Sequence, residues 1–460
     1  MTKKLLVGWF NEFLPEEQNV FNKIKTIIEK NFKLSWFVNI ETPAVERKSV
    51  LLSKGGEEVS KQIFWLYWLS QKCDIGKKDY SLHFDLTVPL ARYIIDYYNE
   101  ITFPFKRYQI QKVWRWERQQ RWRFKEFYQC DVDVISNKNI SIEIESETIL
   151  SLMLSLTNVL NYLKLNEKLE LHLNNRKFID YIVSYFKLND VKDEFFWLLD
   201  KYYKISNKEF ESQILELLWG NRNKMKQILD LFENMKSGKK INIEGVSSND
   251  ELFDLYKLYN ILNELREINA LSDKLVIKLD PFIVRWLDYY TWTVFETFIE
   301  NRYWFGSVCS WWRYDKLVEY ISNKHDLNIS GLRWFGWSIW LTRLFDRLNG
   351  VWMLDKIKEE ENLVDVLLFN VSGASSLYKN KIASVLRKNW VWTEIYTDAD
   401  KLSKQFKYAD TKKIPIGIFV WEEEEENNKV KIKDLEERDV YEIKVEEVVD
   451  KIKELLAKNF

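Results

Sequence analysis

Lys112–Ile135, KVWRWERQQRWRFKEFYQCDVDVI, is the stretch on which the reading of this chain turns. The flanking runs YQIQKVWRW and FYQCDVDVI are rich in β-branched and aromatic residues, and the charged segment ERQQRWRFKE separates them. Two such strands joined by one basic loop predict an antiparallel pair. At a period of two, Gln129, Asp131 and Asp133 share one face of the second strand and can line one side of a pocket. For a lone strand, a polar solvent-facing surface is the plainer reading. The arginines at 115, 118, 121 and 123 shift the balance toward a pocket.

Three further clusters place charge in strand-rich context, where it costs free energy unless it binds something. They are His83–Thr87 (HFDLT), Arg285–Tyr290 (RWLDYY) and Arg343 in the helical run SIWLTRLFDRL. The chain has no glycine-rich phosphate loop, no paired Cys/His spacing for a metal and no Gly-x-Ser-x-Gly. Arginines spread over distant segments therefore point to phosphate held by fixed positive charge, without a nucleophilic side chain.

Composition sets the class. The chain has 460 residues, 46% hydrophobic and 30% charged, enough for two or three globular domains. Its 69 basic and 70 acidic side chains nearly cancel, so any nucleic-acid contact must come from local patches. Three unpaired cysteines, Cys73, Cys130 and Cys309, disfavour a disulfide framework and suit a reducing cytoplasm. No stretch approaches the length needed to cross a bilayer.

Along the chain, residues 17–32 carry helical periodicity and Val38–Val45 reads as a strand. The region from about Ile179 to Leu275 reads as an inserted helical module. Past the charged linker KIKEEEN, the strands VDVLLFNV, WTEIYT and IPIGIFVW alternate with helices, which predicts a small parallel sheet. The run Glu422–Glu426 reads as a solvated loop. His83, His172 and His325 read as structural or incidental.

The quoted stretch resembles the arginine-bearing strand pair of class II aminoacyl-tRNA synthetases, and of the histidyl-tRNA synthetase family in particular. FDLTVPLARY (84–93), RWLDYYTWTVFE (285–296), SVCSWWRYDKLVE (307–319) and WSIWLTRLF (337–345) are similar to successive motifs of that family in its order, and LPEEQ (14–18) and KLSKQFKYAD (401–410) also fit. The resemblance implies an α+β fold. A class II antiparallel-sheet catalytic core over 1–350, with a helical insertion at about 179–275, would be followed by an α/β anticodon-binding domain over 363–460. It implies ligation of histidine to tRNA(His) through a histidyl-adenylate, using ATP and Mg2+, by a cytoplasmic homodimer.

By the same resemblance Arg285 and Arg115 would be catalytic at the α-phosphate, and Arg115, Glu117, Arg123 and Arg343 would bind ATP. Asp85, Thr87 and Gln129 would receive the substrate ammonium, and Asp133, Tyr289, Tyr290 and Tyr314 would face the imidazole. Arg118, Gln120 and Arg121 would meet the tRNA acceptor end, and Lys401, Lys404, Gln405 and Lys407 the anticodon region. Two other functions fit the same core: the noncatalytic regulatory paralogue of ATP phosphoribosyltransferase, and a class II synthetase for another amino acid.

Tryptophan stands where the family carries glycine, at Trp9, Trp36, Trp116, Trp122, Trp286, Trp311, Trp312, Trp337, Trp340 and Trp421. Thirteen glycines and 21 tryptophans together make about 7% of the chain, the usual share of glycine alone. A gene in which UGA specifies glycine, translated with a table that reads UGA as tryptophan, yields this pattern. Indole rings at 286, 311, 312 and 340 are then expected to crowd the site and strain the backbone.

Overall fold

In the computed structural model the two strands of the opening motif are β4 (Phe105–Trp114) and β5 (Glu126–Ser136), antiparallel, with ten registered pairs from Phe105↔Ile135 to Trp114↔Glu126. The structure describes every residue except 1–4, 54–59, 67–79, 117–123, 240–250, 285–292, 314, 361–363 and 459–460.

Around this pair grows a sheet of eight strands. Its further members are β1 (Val38–Asn39), β6 (Leu169–Asn175), β7 (Leu275–Leu279), β8 (Thr293–Ile299), β9 (Cys309–Arg313) and β10 (Arg333–Ile339), in the order β1-β4-β5-β10-β9-β8-β6-β7. The five inner pairings are antiparallel, and only the outermost, β1 with β4 and β6 with β7, are parallel. The expected strand over 38–45 is two short pieces, β1 and β2 (Val45–Arg47), the latter paired with β3 (Tyr80–Leu82). The last helix of this half begins at Leu341, because Ser338 still belongs to β10.

Helices close the sheet because their apolar residues recur at helical spacing. In Pro15–Leu34 the buried positions include Val20, Ile24, Ile28 and Phe32, and Phe32 meets Tyr108 and Trp337 at ring separations of 5.5 and 5.2 Å. Between β6 and β7 run helices at Arg176–Tyr185, Lys192–Asp200, Asn207–Leu217, Arg222–Lys236 and Glu251–Ile268.

The chain divides into two compact units, residues 1–12 with 23–354 and residues 13–22 with 355–460. The second unit contains β11 (Val366–Leu368), β12 (Thr393–Ile395) and β13 (Ile416–Phe419) in parallel, as expected from the alternation of strands and helices. A hairpin of β14 (Lys429–Asp434) and β15 (Val440–Lys444) extends that sheet antiparallel to β13. The glutamate run is a short helix, Glu422–Glu426, and not a loop: Glu424 is buried and paired with Lys431, while Glu425 accepts from the Ser375 amide. A negative first turn is what a helix N-terminus favours.

Among the described residues four helices end on tryptophan in the left-handed region, at Trp36 (φ 61°), Trp219 (φ 51°), Trp352 (φ 65°) and Trp390 (φ 64°). At each, the next residue's amide reaches back five positions: Phe37 to Phe32, Gly220 to Leu215, Met353 to Leu348 and Val391 to Leu386. That bond is the mark of the helix-terminating motif whose left-handed residue is ordinarily glycine. Trp9 also has positive φ, 72°. Trp337 and Trp421 differ: Trp337 lies buried in β10 and Trp421 has φ −103°. The backbone therefore makes no left-handed demand at those two positions.

Candidate active site

Period two puts Arg107, Gln109, Gln111 and, just past the strand end, Arg115 on the same face of the β4 edge as Phe127, Gln129, Asp131 and Asp133 of β5. The register sets Arg107 opposite Asp133, Gln109 opposite Asp131, and Gln111 opposite Gln129. All but Gln111, which is half-buried, are sequestered from solvent, so each polar group needs a partner.

The pairing is dense. Arg107 Nη2 lies 2.6 Å from Asp133 Oδ2, and its Nη1 donates to Gln109 Oε1. Gln109 Nε2 donates to Thr42 Oγ1 and to Gln111 Oε1. Gln129 Nε2 donates to Ser338 Oγ at 3.1 Å and, more weakly, to Asp131 Oδ1 at 3.4 Å. Among the described residues Gln129 Oε1 and, two strands away on the same face, Ser310 Oγ are buried with no protein partner, which leaves two oxygens with unused acceptor capacity.

Gly336, opposite Asp133, makes this crowding possible. A Cβ there would fall 1.9 Å from Asp133 Oδ1, so only glycine admits the carboxylate. Asp133 Oδ1 accepts the indole N–H of Trp334 at 2.6 Å. The carboxylate expected at the imidazole is thus engaged on both oxygens, by Arg107 and by Trp334.

Burial pushes the Asp131 carboxyl up to about 7, against the favourable charge of Arg107 and together with the repulsion of Asp133. The unfolded chain ionises Asp131 near 3.8, so the folded state holds the extra proton between these values and loses stability as pH rises from about 4 to about 7. Urea unfolding at pH 5 and pH 8 tests this. D131N should lose less stability than the wild type over that interval, and equal losses would contradict the assignment.

At the open end of β4 the backbone holds Arg115 beside the His83–Thr87 cluster. The Trp114 amide donates to the His83 carbonyl, and Arg115 Nε donates to the Phe84 carbonyl at 2.8 Å. The guanidinium carbon of Arg115 sits 5.2 Å over the Phe127 ring, a cation–π contact that fixes its plane. Asp85 is buried and its Oδ1 accepts the Val88 amide, capping the helix Thr87–Asp96. Thr87, also buried, opens that helix. His83 Nε2 donates to the Lys112 carbonyl at 2.7 Å, and burial lowers its pKa, so it serves as a neutral strut.

Arg343 lies on the helix Leu341–Gly350 with its guanidinium 4.0 Å from the Trp340 ring centre. Next to it Thr342 Oγ1 accepts the Tyr128 amide, which ties the start of that helix to β5. The structure therefore gathers Arg115, Asp85, Thr87, Gln129 and Asp133 around the β4/β5 pair. Arg285, Glu117, Arg118, Gln120, Arg121, Arg123, Tyr289, Tyr290 and Tyr314 lie outside the described residues.

Sequence reasoning missed Arg107, Gln109 and Ser338. The period-two run Arg107-x-Gln109-x-Gln111 was the available signal for the first two; Ser338 joins only through the β5/β10 register. Gln405, expected to meet RNA, is instead buried in the second unit, where its amide pairs with the Asn370 backbone. Lys401, Lys404 and Lys407 are exposed, and Lys404 pairs with Asp400.

Residues 9–327 match the family model described as histidyl-tRNA synthetase, and residues 365–455 the one described as anticodon binding domain. The chain belongs to the histidyl-tRNA synthetase family. Among curated relatives, the histidine--tRNA ligase of Clostridium tetani (strain Massachusetts / E88) is 36% identical, over 98% of this chain and 99% of that protein. That of Finegoldia magna is 34% identical over 96% and 97%. The crystal structure of histidyl-tRNA synthetase from Nostoc sp. PCC 7120 superposes with a TM-score of 0.77 at 24% identity, covering 99% of this chain and all of that one. An ATP phosphoribosyltransferase regulatory subunit/histidyl-tRNA synthetase from Bacillus halodurans gives 0.62 at 19% identity, covering 88% and 96%. At these identities the structures share the fold. In this member of the histidyl-tRNA synthetase family, the class II core and the anticodon-binding domain expected from the sequence are both present.

Proposed function

We propose that this chain ligates histidine to tRNA(His) in two steps, with the carboxylate of histidine attacking the α-phosphorus of ATP before the histidyl group passes to the tRNA 3′ end. The support is one sheet face that carries Arg115, Gln129 and Asp133, with the carbonyl of Phe84, next to Asp85 in the chain, bonded to Arg115. Arg115 presents fixed positive charge where phosphate charge develops, while Arg285 is the residue assigned to the transition state. Glu117, Arg123 and Arg343 complete the ATP subsite. Mg2+ enters as part of the Mg·ATP substrate, held by phosphate oxygens.

Asp85, Thr87 and the unpartnered Gln129 Oε1 take the substrate ammonium, which needs acceptors. Asp133, with Tyr289, Tyr290 and Tyr314, faces the imidazole. A site built for ring nitrogens rejects an apolar side chain because its own polar groups would be left unpaired. Arg118, Gln120 and Arg121 meet the acceptor end of the tRNA, and the working form is a cytoplasmic homodimer. Among the described residues no helix is long and apolar enough to cross a membrane.

ATP–pyrophosphate exchange measured with each amino acid in turn tests the reading. Exchange is expected with histidine alone. Exchange with another amino acid, or with none, would replace this reading by one of its two rivals. The anticodon-binding match over residues 365–455 already weighs against a regulatory subunit.

A further inference from the structure

His172, incidental on the sequence alone, sits at the centre of a buried ionic network. Its Nδ1 lies 2.6 Å from Asp280 Oδ2 and its Nε2 3.1 Å from Glu170 Oε2. Lys278 Nζ donates to Glu170 Oε1 at 2.6 Å, and the Tyr303 hydroxyl donates to Glu170 Oε2. Two carboxylates facing both ring nitrogens are satisfied only when both nitrogens carry hydrogen, the imidazolium form. Burial opposes that charge, yet the bonds to Asp280 and Glu170 raise the His172 pKa. Burial likewise opposes ionisation of Glu170, but His172, Lys278 and Tyr303 bring it down to about 2. Two cations thus balance two anions.

The network grips the turn that follows β7. Asp280 Oδ1 accepts the Phe282 amide, the Asp280 amide donates to the Leu173 carbonyl, and Asn174 Nδ2 donates to the carbonyls of Pro281 and Ile283. The helical module between β6 and β7 closes on the same turn from outside. The Tyr203 hydroxyl donates to Asp280 Oδ2, and the Tyr202 ring lies parallel on Phe282 with 3.5 Å between centres. Phe210 and Phe232, from two further helices of the module, meet Phe282 edge-on at 5.6 and 5.3 Å.

We propose that the helical module braces the catalytic arginine, with His172, Tyr203 and Phe282 as positioning residues that fix the turn Asp280–Val284 from which the chain continues directly into Arg285. An arginine that stabilises a transition state must be held before the reaction, since a misplacement on the order of 1 Å costs about a hundredfold in rate. The turn is held by charge from the sheet side and by aromatic stacking from the module side. A shift of the module is thereby transmitted to the turn Asp280–Val284.

The inference rests on the assignment of Arg285 made above. Its test is Tyr203→Phe in the full-length chain, which removes one hydroxyl and keeps the ring. Histidine-dependent ATP–pyrophosphate exchange is measured per active site, titrated by the burst of adenylate formation. The expected result is a kcat about tenfold lower, KM for histidine and ATP within about twofold, and a urea midpoint near wild type. Phe282→Leu, a second and independent variant, should act in the same direction. In an Arg285→Lys background the added effect of Tyr203→Phe should shrink below about twofold, because both changes act on one group. Exchange by Tyr203→Phe at the wild-type rate, or a full tenfold loss retained beside Arg285→Lys, overturns the brace. A wild-type chain that exchanges with no amino acid sinks the functional reading and this inference with it.

Discussion

Replacing Trp36, Trp219 and Trp352 together by glycine is expected to raise the unfolding free energy of the larger unit by about 2–4 kcal/mol. Each residue has positive φ at a helix end, where a Cβ crowds the following carbonyl at about 1–2 kcal/mol. Little is lost in exchange, because the side chains are 85%, 66% and 78% exposed. Glycine gives back part of the gain through the greater freedom of the unfolded chain, which brings the net to about 1 kcal/mol per site. The three sites end three different helices far apart in sequence, so their effects should add.

The control is Trp197, half exposed but inside the helix Lys192–Asp200. There the same substitution should destabilise by roughly 0.5 kcal/mol, since glycine is a poor helix former. Urea unfolding followed by far-ultraviolet circular dichroism reads both signs. A triple variant no more stable than the parent would remove the argument from backbone strain. The same reasoning makes glycine the residue expected at these helix ends in the protein as its own cell makes it, which mass spectrometry of the corresponding peptides reads directly.

Arg107→Met should cost about 3–5 kcal/mol, the usual penalty for leaving one member of a buried ion pair alone. Arg107 is fully buried, 2.6 Å from Asp133, and its charge also favours ionisation of Asp131. Without it, two buried carboxyls lose the guanidinium that pairs with Asp133 and offsets the charge of Asp131. Asp131 would then retain its proton to higher pH, since the Arg107 charge is what lowers it. Arg107→Met combined with Asp133→Asn should recover much of the loss, because the pair is then removed whole and replaced by groups that tolerate burial. Urea unfolding of the single and double variants gives the coupling directly; strict additivity would show that the two side chains do not depend on each other.

Much of this molecule was legible because its information is local. A period of two identified β4 and β5 and placed Gln129, Asp131 and Asp133 on one face, and the register between the strands agrees. Alternating strands and helices foretold the parallel half of the second sheet, while β14, polar between its buried positions, and β15, with no fully buried residue, went unseen. The glutamate run looked solvated because like charges repel. Packing against Lys431 and Ser375 made it a helix instead.

Sequence by itself determined which residues could carry chemistry, and that Trp36 occupies a position suited to glycine. Composition and motif order are properties of the chain. Only the tertiary structure decided that Trp219, Trp352 and Trp390 stand at left-handed helix ends, since φ is set by how each helix is stopped. Likewise it alone joined His172 to Asp280, which lies 108 residues further along the chain. No local pattern encodes that pairing. It exists because β6 and β7 lie side by side in the sheet, and a buried imidazole between two carboxylates is stable only where folding brings all three together.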